Sequence, residues 1–279
     1  MIIDEILINF VYLLNFLFFS FLSIFLFEGI FKIRSSKGEN LLKASLIFSL
    51  ALSVSPLYTG ESYGLLEDTI LIWIYSFIAL ILLILGHITM DKLIFGNVKN
   101  IDEIRSGNIA LAIAEGSNFI ATSLVVRSVI DNMFSIKINH LEFWIKLISI
   151  YLSIQILLAL SLFIYNEYLK KVKKLDIKAL IYQGNISASI HISANYIIIS
   201  FLLATAFVVG KTTLETLILT TVYFLLSLIL IEIIRFLVDI TLFRREKLST
   251  LIKNDEYFKI LYIDTFVIAV IFIYHFLES

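Results

Sequence analysis

Five side chains set within long apolar stretches of this 279-residue sequence are of types that can do chemistry: Glu115, Asn118, His191, Asn195 and Asp264. Ionisable groups at membrane depth are costly, and by default they mark function. Glu115 lies three residues before Asn118, so both share one helical face. Two readings of Glu115 stand side by side: a carboxyl hydrogen-bonded to neighbouring helices as structural glue, or a site for a proton or small cation. His191 and Asn195 sit four apart on a second, similar stretch. A Glu115–His191 pair would form a carboxylate–imidazole proton relay. The plainer alternative is a histidine satisfied by an adjacent helix. Asp264 falls near the level of Glu115, as a second buried acid or a partner for His191.

A further set lies close to one end of its stretches. Glu232, Arg235 and Asp239 follow one helical face, and His87 and Asp91 repeat the Arg235/Asp239 spacing. Local ion pairs at the cytoplasmic interface, with long side chains snorkelling to water, explain them without invoking a site. One His/Asp pair offers two ligands where metals take three or four, so no metal is expected. The chain has no cysteine, which removes disulfides, thiolate sites and thiol nucleophiles. It carries no H-E-x-x-H and no G-x-S-x-G. VVGKTTLE at 208–215 lacks the first glycine of a phosphate loop. Neither an enzyme nor a cofactor is expected.

The elements that position these residues are membrane spans. The sequence is 59% hydrophobic and 16% charged, with ten glycines and one proline, Pro56. That composition builds a polytopic membrane protein of continuous helices, all-α, and leaves no basic footprint for nucleic acid. Eight spans are expected near 6–31, 40–58, 68–90, 108–129, 142–166, 185–208, 214–242 and 257–277. The first is read as retained, because Asp4 and Glu5 stand where a signal peptide would be basic. Most of the 22 lysines and arginines fall in alternate connections, among them Lys32, Arg34, Lys92, Arg105, the KKVKK run at 170–174, Arg244 and Arg245. The connection holding Glu61, Glu67 and Asp68 is acidic. The positive-inside rule then puts the basic connections in the cytoplasm and both termini outside.

The chain also repeats itself. GNIALAIAEGSNFIATS at 107–123 is echoed by GNISASIHISANYIIIS at 184–200. Gly107 and Gly184, Asn108 and Asn185, and Asn118 and Asn195 fall at equal offsets. An acidic residue (Glu28, Asp91, Glu167, Asp239) marks each odd span's end. A short amphipathic stretch then leads to each motif, reading DEIRSGN, ALIYQGN and TLIKNDE in the last three copies. The fourth copy has Asp255-Glu256 for Gly-Asn, and the first retains only Asn40. Four hairpins result, expected as two tandem halves, 1–133 and 134–279. Even spans carry closely spaced Ala and Ser, the composition that lets membrane helices approach. They are expected inside, with odd spans against lipid, although the eighth fits this pattern poorly. Leucine at Ala114 or Ser193 should therefore overpack, while leucine at Ala79 should be tolerated.

The hairpin, with its Gly-Asn start, run of small residues and downstream Asn, resembles the bacterial inner-membrane family catalogued as domain of unknown function 350. The match is strongest over 67–208, and it implies a second, tandem domain. The resemblance implies a helical inner-membrane protein without an established activity, discussed alongside envelope-stress systems, and it carries no catalytic residue. The leading expectation is a non-enzymatic membrane component; the alternative is a channel or transporter for protons or small cations using Glu115 and His191. The expected partner is the lipid bilayer, with a homo-oligomer or other membrane proteins left open, and no nucleic acid.

Overall fold

The computed structural model describes residues 2–59, 64–89, 92, 100–133, 141–209, 212–242 and 247–278. Apolar runs with no proline and at most one glycine each have little to break the i→i−4 ladder, and they fold as long helices. These are α1 (Ile2–Phe31), α2 (Lys37–Val54), α4 (Leu65–Thr89), α6 (Ile109–Met133), α7 (Leu141–Tyr168), α9 (Ile186–Val209), α10 (Thr213–Leu242) and α12 (Tyr257–Glu278). Among the described residues, four short helices lie between them: α3 (Pro56–Thr59), α5 (Asn100–Arg105), α8 (Ile177–Tyr182) and α11 (Leu248–Lys253). A π turn, Leu169–Lys173, continues α7. Pro56 opens α3, where a missing N–H costs nothing. No strand occurs among the described residues.

The chain is an all-α polytopic membrane protein. Among the described residues, six helices are long and apolar enough to cross a bilayer: α1, α4, α6, α7, α9 and α10. The second and eighth expected spans, α2 and α12, fall outside that set. α2 has 18 residues and opens with Lys37, Glu39 and Lys43. The side chains of α12 are described only to Ile273, and they include Lys259 and Asp264.

Packing follows side-chain size. Helices α2, α6, α9 and α12 adjoin one another in that order, and α1, α4, α7 and α10 lie against them. In the most apolar window of each, 83% of α6 and 72% of α9 is buried, against 28% of α1 and 22% of α10. Gly116 shows how close α6 and α2 come. A Cβ there would sit 3.0 Å from Ser45 Cβ and collide with Ser45 Oγ. The outer helices present Phe21, Phe25, Ile156, Phe163, Ile229 and Phe236 outward, the surface that lipid tails solvate.

One expectation about this layering needs correction. Ala79 is fully buried, because α4 is wedged between α1, α2, α6 and α7 and turns an inner face to them. Enlarging it will therefore be felt. On α12, only a narrow stripe (Ile260, Ile263, Asp264, Val267, Ile271) is buried, as befits the end of a row.

Three of the short helices, α5, α8 and α11, end in the same way before a long one begins. The residues Gly107 (φ 111°), Gly184 (φ 85°) and Asp255 (φ 55°) have positive φ. Their N–H groups, and those of the residues after them, bond back to the helix just ended. Glycine takes this conformation without a Cβ penalty, and Asp is among the residues that tolerate it. Asp255 also accepts a bond from the Ser187 N–H at 2.7 Å, tying this turn to the start of α9.

Candidate functional site

Two buried polar clusters among the described residues hold Glu115, Asn118, His191 and Asp264. In the first, Glu115 on α6 meets His87 on α4, its Oε2 against Nδ1. Both residues are 1% exposed. A wall of Phe27 and Phe31 from α1 and Phe119 from α6 surrounds the imidazole, with ring centroids 4.5–5.8 Å away. One turn on, Asn118 donates to the Gly86 carbonyl at 3.2 Å. Glu115 and Asn118 thus share a face, as their spacing requires, and that face looks at α4. Farther along α6, Thr122 accepts from Gln155 of α7 at 2.9 Å.

The second cluster closes a ring across four helices. Asp264 of α12 accepts from Arg235 of α10 at 2.7 and 3.2 Å through Oδ1. Its Oδ2 lies 3.0 Å from His191 Nδ1 on α9. His191 Nε2 lies 2.6 Å from the Tyr165 hydroxyl of α7, and Arg235 Nη1 donates to that hydroxyl at 3.4 Å. A carboxylate only accepts, so Nδ1 of a neutral His191 carries the proton and Nε2 accepts from Tyr165. Donors and acceptors then match around the ring, and one cation faces one anion. Closed, fully satisfied networks of this kind fix the mutual positions of the helices that contribute to them.

A third set of polar contacts sits where the long helices begin. Asn108 caps α6 by accepting from the Leu111 N–H at 3.0 Å, and its amide donates to the carbonyls of Ile181 and Tyr182 at the end of α8. Asn185 caps α9 through Ala188 at 2.7 Å and donates to the Ile252 carbonyl at the end of α11 at 2.8 Å. Each motif asparagine therefore satisfies its own helix and the short helix of the next unit. At the chain's start, Ser36 caps α2 in a capping box with Glu39 and donates to the Ile104 carbonyl at 3.4 Å. Asn40, expected to be the first copy's remnant, instead bonds Ser35 at the exposed surface. A serine with a glutamate three residues on does the work of asparagine there.

Charges at this level are held by the backbone. Burial would raise the Glu39 carboxyl. The N–H groups of Arg34 and Ser36, the Ser36 hydroxyl and Arg105 outweigh it and leave Glu39 below its ordinary value. Asp176, the N-cap of α8, is likewise lowered: burial opposes, while the Ala179 N–H and Lys170 prevail. Arg105 also reaches the carbonyls of Phe31 and Lys32, pinning α5 to the turn after α1.

Several expectations about the site change. Glu115 and His191 do not pair; each has a different partner on a different helix. His191 does meet Asp264. Arg235 is 4% exposed and binds Asp264 rather than snorkelling to water. Glu232 is partly buried and lines a small cavity with Asn195. Asp91, Gly210-Lys211 of the phosphate-loop mimic and the Asp239 side chain lie outside the described residues. Tyr165 and Gln155 were not singled out by the sequence. Polar atoms inside apolar runs were the available signal, and Tyr165 precedes His191 by nearly the interval that separates His87 from Glu115. No group of three or more His, Cys, Asp or Glu able to hold a metal occurs among the described residues.

No curated protein and no solved structure matches the chain. The family described as Domain of Unknown Function (DUF350) matches residues 64–207, from the start of α4 to the end of α9, and so takes in the Glu115–His87 pair and both Gly-Asn motifs. With more than half its length matched, the chain belongs to the DUF350 family.

Proposed function

We propose that this protein is a non-enzymatic, multi-pass component of the cell inner membrane whose buried polar clusters hold its helices together. The observation that carries this reading is the placement of Glu115, the acid with the strongest claim to chemistry. It lies against His87 behind three phenylalanines, in surroundings that suit a structural partner. The chain is then organised as four hairpins with eight spans, in tandem halves 1–133 and 134–279. Basic connections lie in the cytoplasm and both termini outside, in keeping with the charge distribution. A role in maintaining the envelope rests on the family resemblance alone. Its partners are lipid and either a second copy or other membrane proteins.

Transport of protons or small cations through Glu115 and His191 is the competing function, and one experiment separates the two. Purified protein and its Glu115→Gln variant are reconstituted in liposomes, and proton, sodium and potassium flux is followed. The structural reading predicts that both accumulate normally in the membrane and neither conducts above protein-free liposomes. Flux by the native protein that Glu115→Gln abolishes, with accumulation unchanged, would overturn it.

A further inference from the structure

Where the apolar span of α7 ends, at Lys173, the chain crowds together Lys170, Lys171, Lys173, Lys174 and Lys178. The acids of the same stretch are Glu167 and Asp176, so three positive charges are in excess over 167–178. Asp176 is already engaged: it accepts from the Ala179 N–H at 3.1 Å and pairs with Lys170 at 3.0 Å. Lys171, Lys173 and Lys174 are exposed, and no carboxylate among the described residues pairs with them. Lys178 is partly buried. It lies in the field of Asp176 without an ion pair, and burial prevails, holding its ammonium below its ordinary value. An ammonium that has lost water without gaining a partner favours an anion beside it. Other basic connections commit their cations within the protein: Lys43 pairs with Glu28, and Arg105 with Glu39 and Asp102.

The backbone fixes where these lysines stand. Leu169, Leu175 and Ile177 are buried and anchor the turn. The N–H groups of Lys174 (φ 53°) and Leu175 both bond back to the Leu169 carbonyl. The lysines are therefore carried on a closed turn and not on a loose tail. Just before them α7 exposes Phe163, Ile164, Tyr168 and Val172. Ile164 and Tyr168 lie one helical turn apart and Val172 follows, a stripe about 12 Å long that leads to the lysines. Lipid tails solvate such a stripe, and tyrosine suits the level of the headgroups. A phospholipid with a net negative charge matches both parts at once, its acyl chain along the stripe and its phosphate among the ammonium groups.

We propose that the lysine turn between α7 and α8, with the stripe leading to it, binds the phosphate headgroup of an anionic phospholipid. This names the kind of lipid in the lipid partnership proposed above, and it rests on that reading. The test uses the full chain, stripped of lipid in a neutral detergent. Binding is followed with phosphatidylglycerol or phosphatidylcholine carrying the same fluorophore on an acyl chain. Phosphatidylglycerol should bind saturably and about tenfold more tightly than phosphatidylcholine. Lys171→Gln, Lys173→Gln and Lys174→Gln combined should weaken it about 100-fold. Lys247→Gln with Lys253→Gln, exposed lysines of another basic connection, should leave it unchanged. Should the triple variant accumulate poorly, potassium chloride titrated against the native protein gives a second reading: affinity should fall as the screening length shortens. Equal affinity for the two lipids would overturn this site alone, whereas binding of neither would overturn the lipid partnership with it. An equal loss in the Lys247/Lys253 variant, or an affinity indifferent to salt, would also overturn the site. So would displacement of the lipid by glycerol phosphate at matching concentrations, which would mark a site for soluble phosphate esters.

Discussion

At the scale of residues, the molecule solves the problem of polar groups in an apolar solvent by pairing them across helices. His87 with Glu115, Tyr165 with His191 and Arg235 with Asp264 each join an outer helix to an inner one. Truncating one member strands the other. Arg235→Met leaves the Asp264 carboxylate buried beside a neutral histidine, and it should destabilise by about 3–5 kcal/mol. Tyr165→Phe removes only a neutral hydroxyl, and it should cost about 0.5–1.5 kcal/mol. Unfolding of both variants in detergent checks the order, and equal losses would argue against an ionic ring. The positions of Glu115, His191 and Asp264 were legible in the sequence, but their pairings were only partly so. Glu115 stands seven residues after Asn108 and His191 six after Asn185. One residue is about 100° of helix rotation, enough to aim the two at different neighbours.

At the scale of elements, the motif Gly-Asn works as a joint. The glycine ends a short helix in the left-handed region; the asparagine caps the next helix and holds the carbonyl at the end of another short one. Asn185→Ala removes the cap and frees the Ile252 carbonyl, so a loss of about 1–2 kcal/mol is expected. Serine at that position should recover the cap but not the cross-link, giving an intermediate loss. The first joint uses Ser36 and Glu39, whose carboxyl is lowered. A carboxylate with a folded value below its unfolded one stabilises fully above the unfolded value and loses that contribution as pH falls through the folded value. Acidification below about 4.5 should therefore loosen the α1–α2–α5 corner. Glu39→Gln should be less stable at neutral pH and indifferent to that change. Identical pH profiles for the two proteins would contradict the assignment. The spans and the Gly-Asn joints were visible in the sequence because hydropathy and glycine are local signals. The serine-based joint was hidden, because one geometry was reached with different residues.

At the scale of the whole molecule, small residues decide which helices lie inside. Gly116→Leu or Ala114→Leu should overpack and destabilise by roughly 1–3 kcal/mol. Ala79→Leu should do the same, since α4 is buried on its inner face. Phe163→Leu, on the exposed face of α7, should change little. The layering of α6 and α9 was readable from their Ala and Ser content. The burial of α4 was not, because a Leu- and Ile-rich helix wedged between others resembles one facing lipid. Orientation can be tested independently in this cysteine-free chain. Lys171→Cys, at an exposed position, should resist an impermeant maleimide in intact cells, whereas Ser62→Cys should react. The reverse pattern would invert the assigned topology.

The central claim is that these buried pairs are structural, and a double-mutant cycle on Glu115 and His87 tests it most directly. Glu115→Leu, His87→Phe and the double variant are compared with the native protein by equilibrium unfolding. Each single change should cost about 3–5 kcal/mol, because it leaves a polar partner among phenylalanines; the double change should cost far less than their sum. A coupling energy near zero, with the two losses simply adding, would contradict a structural pair.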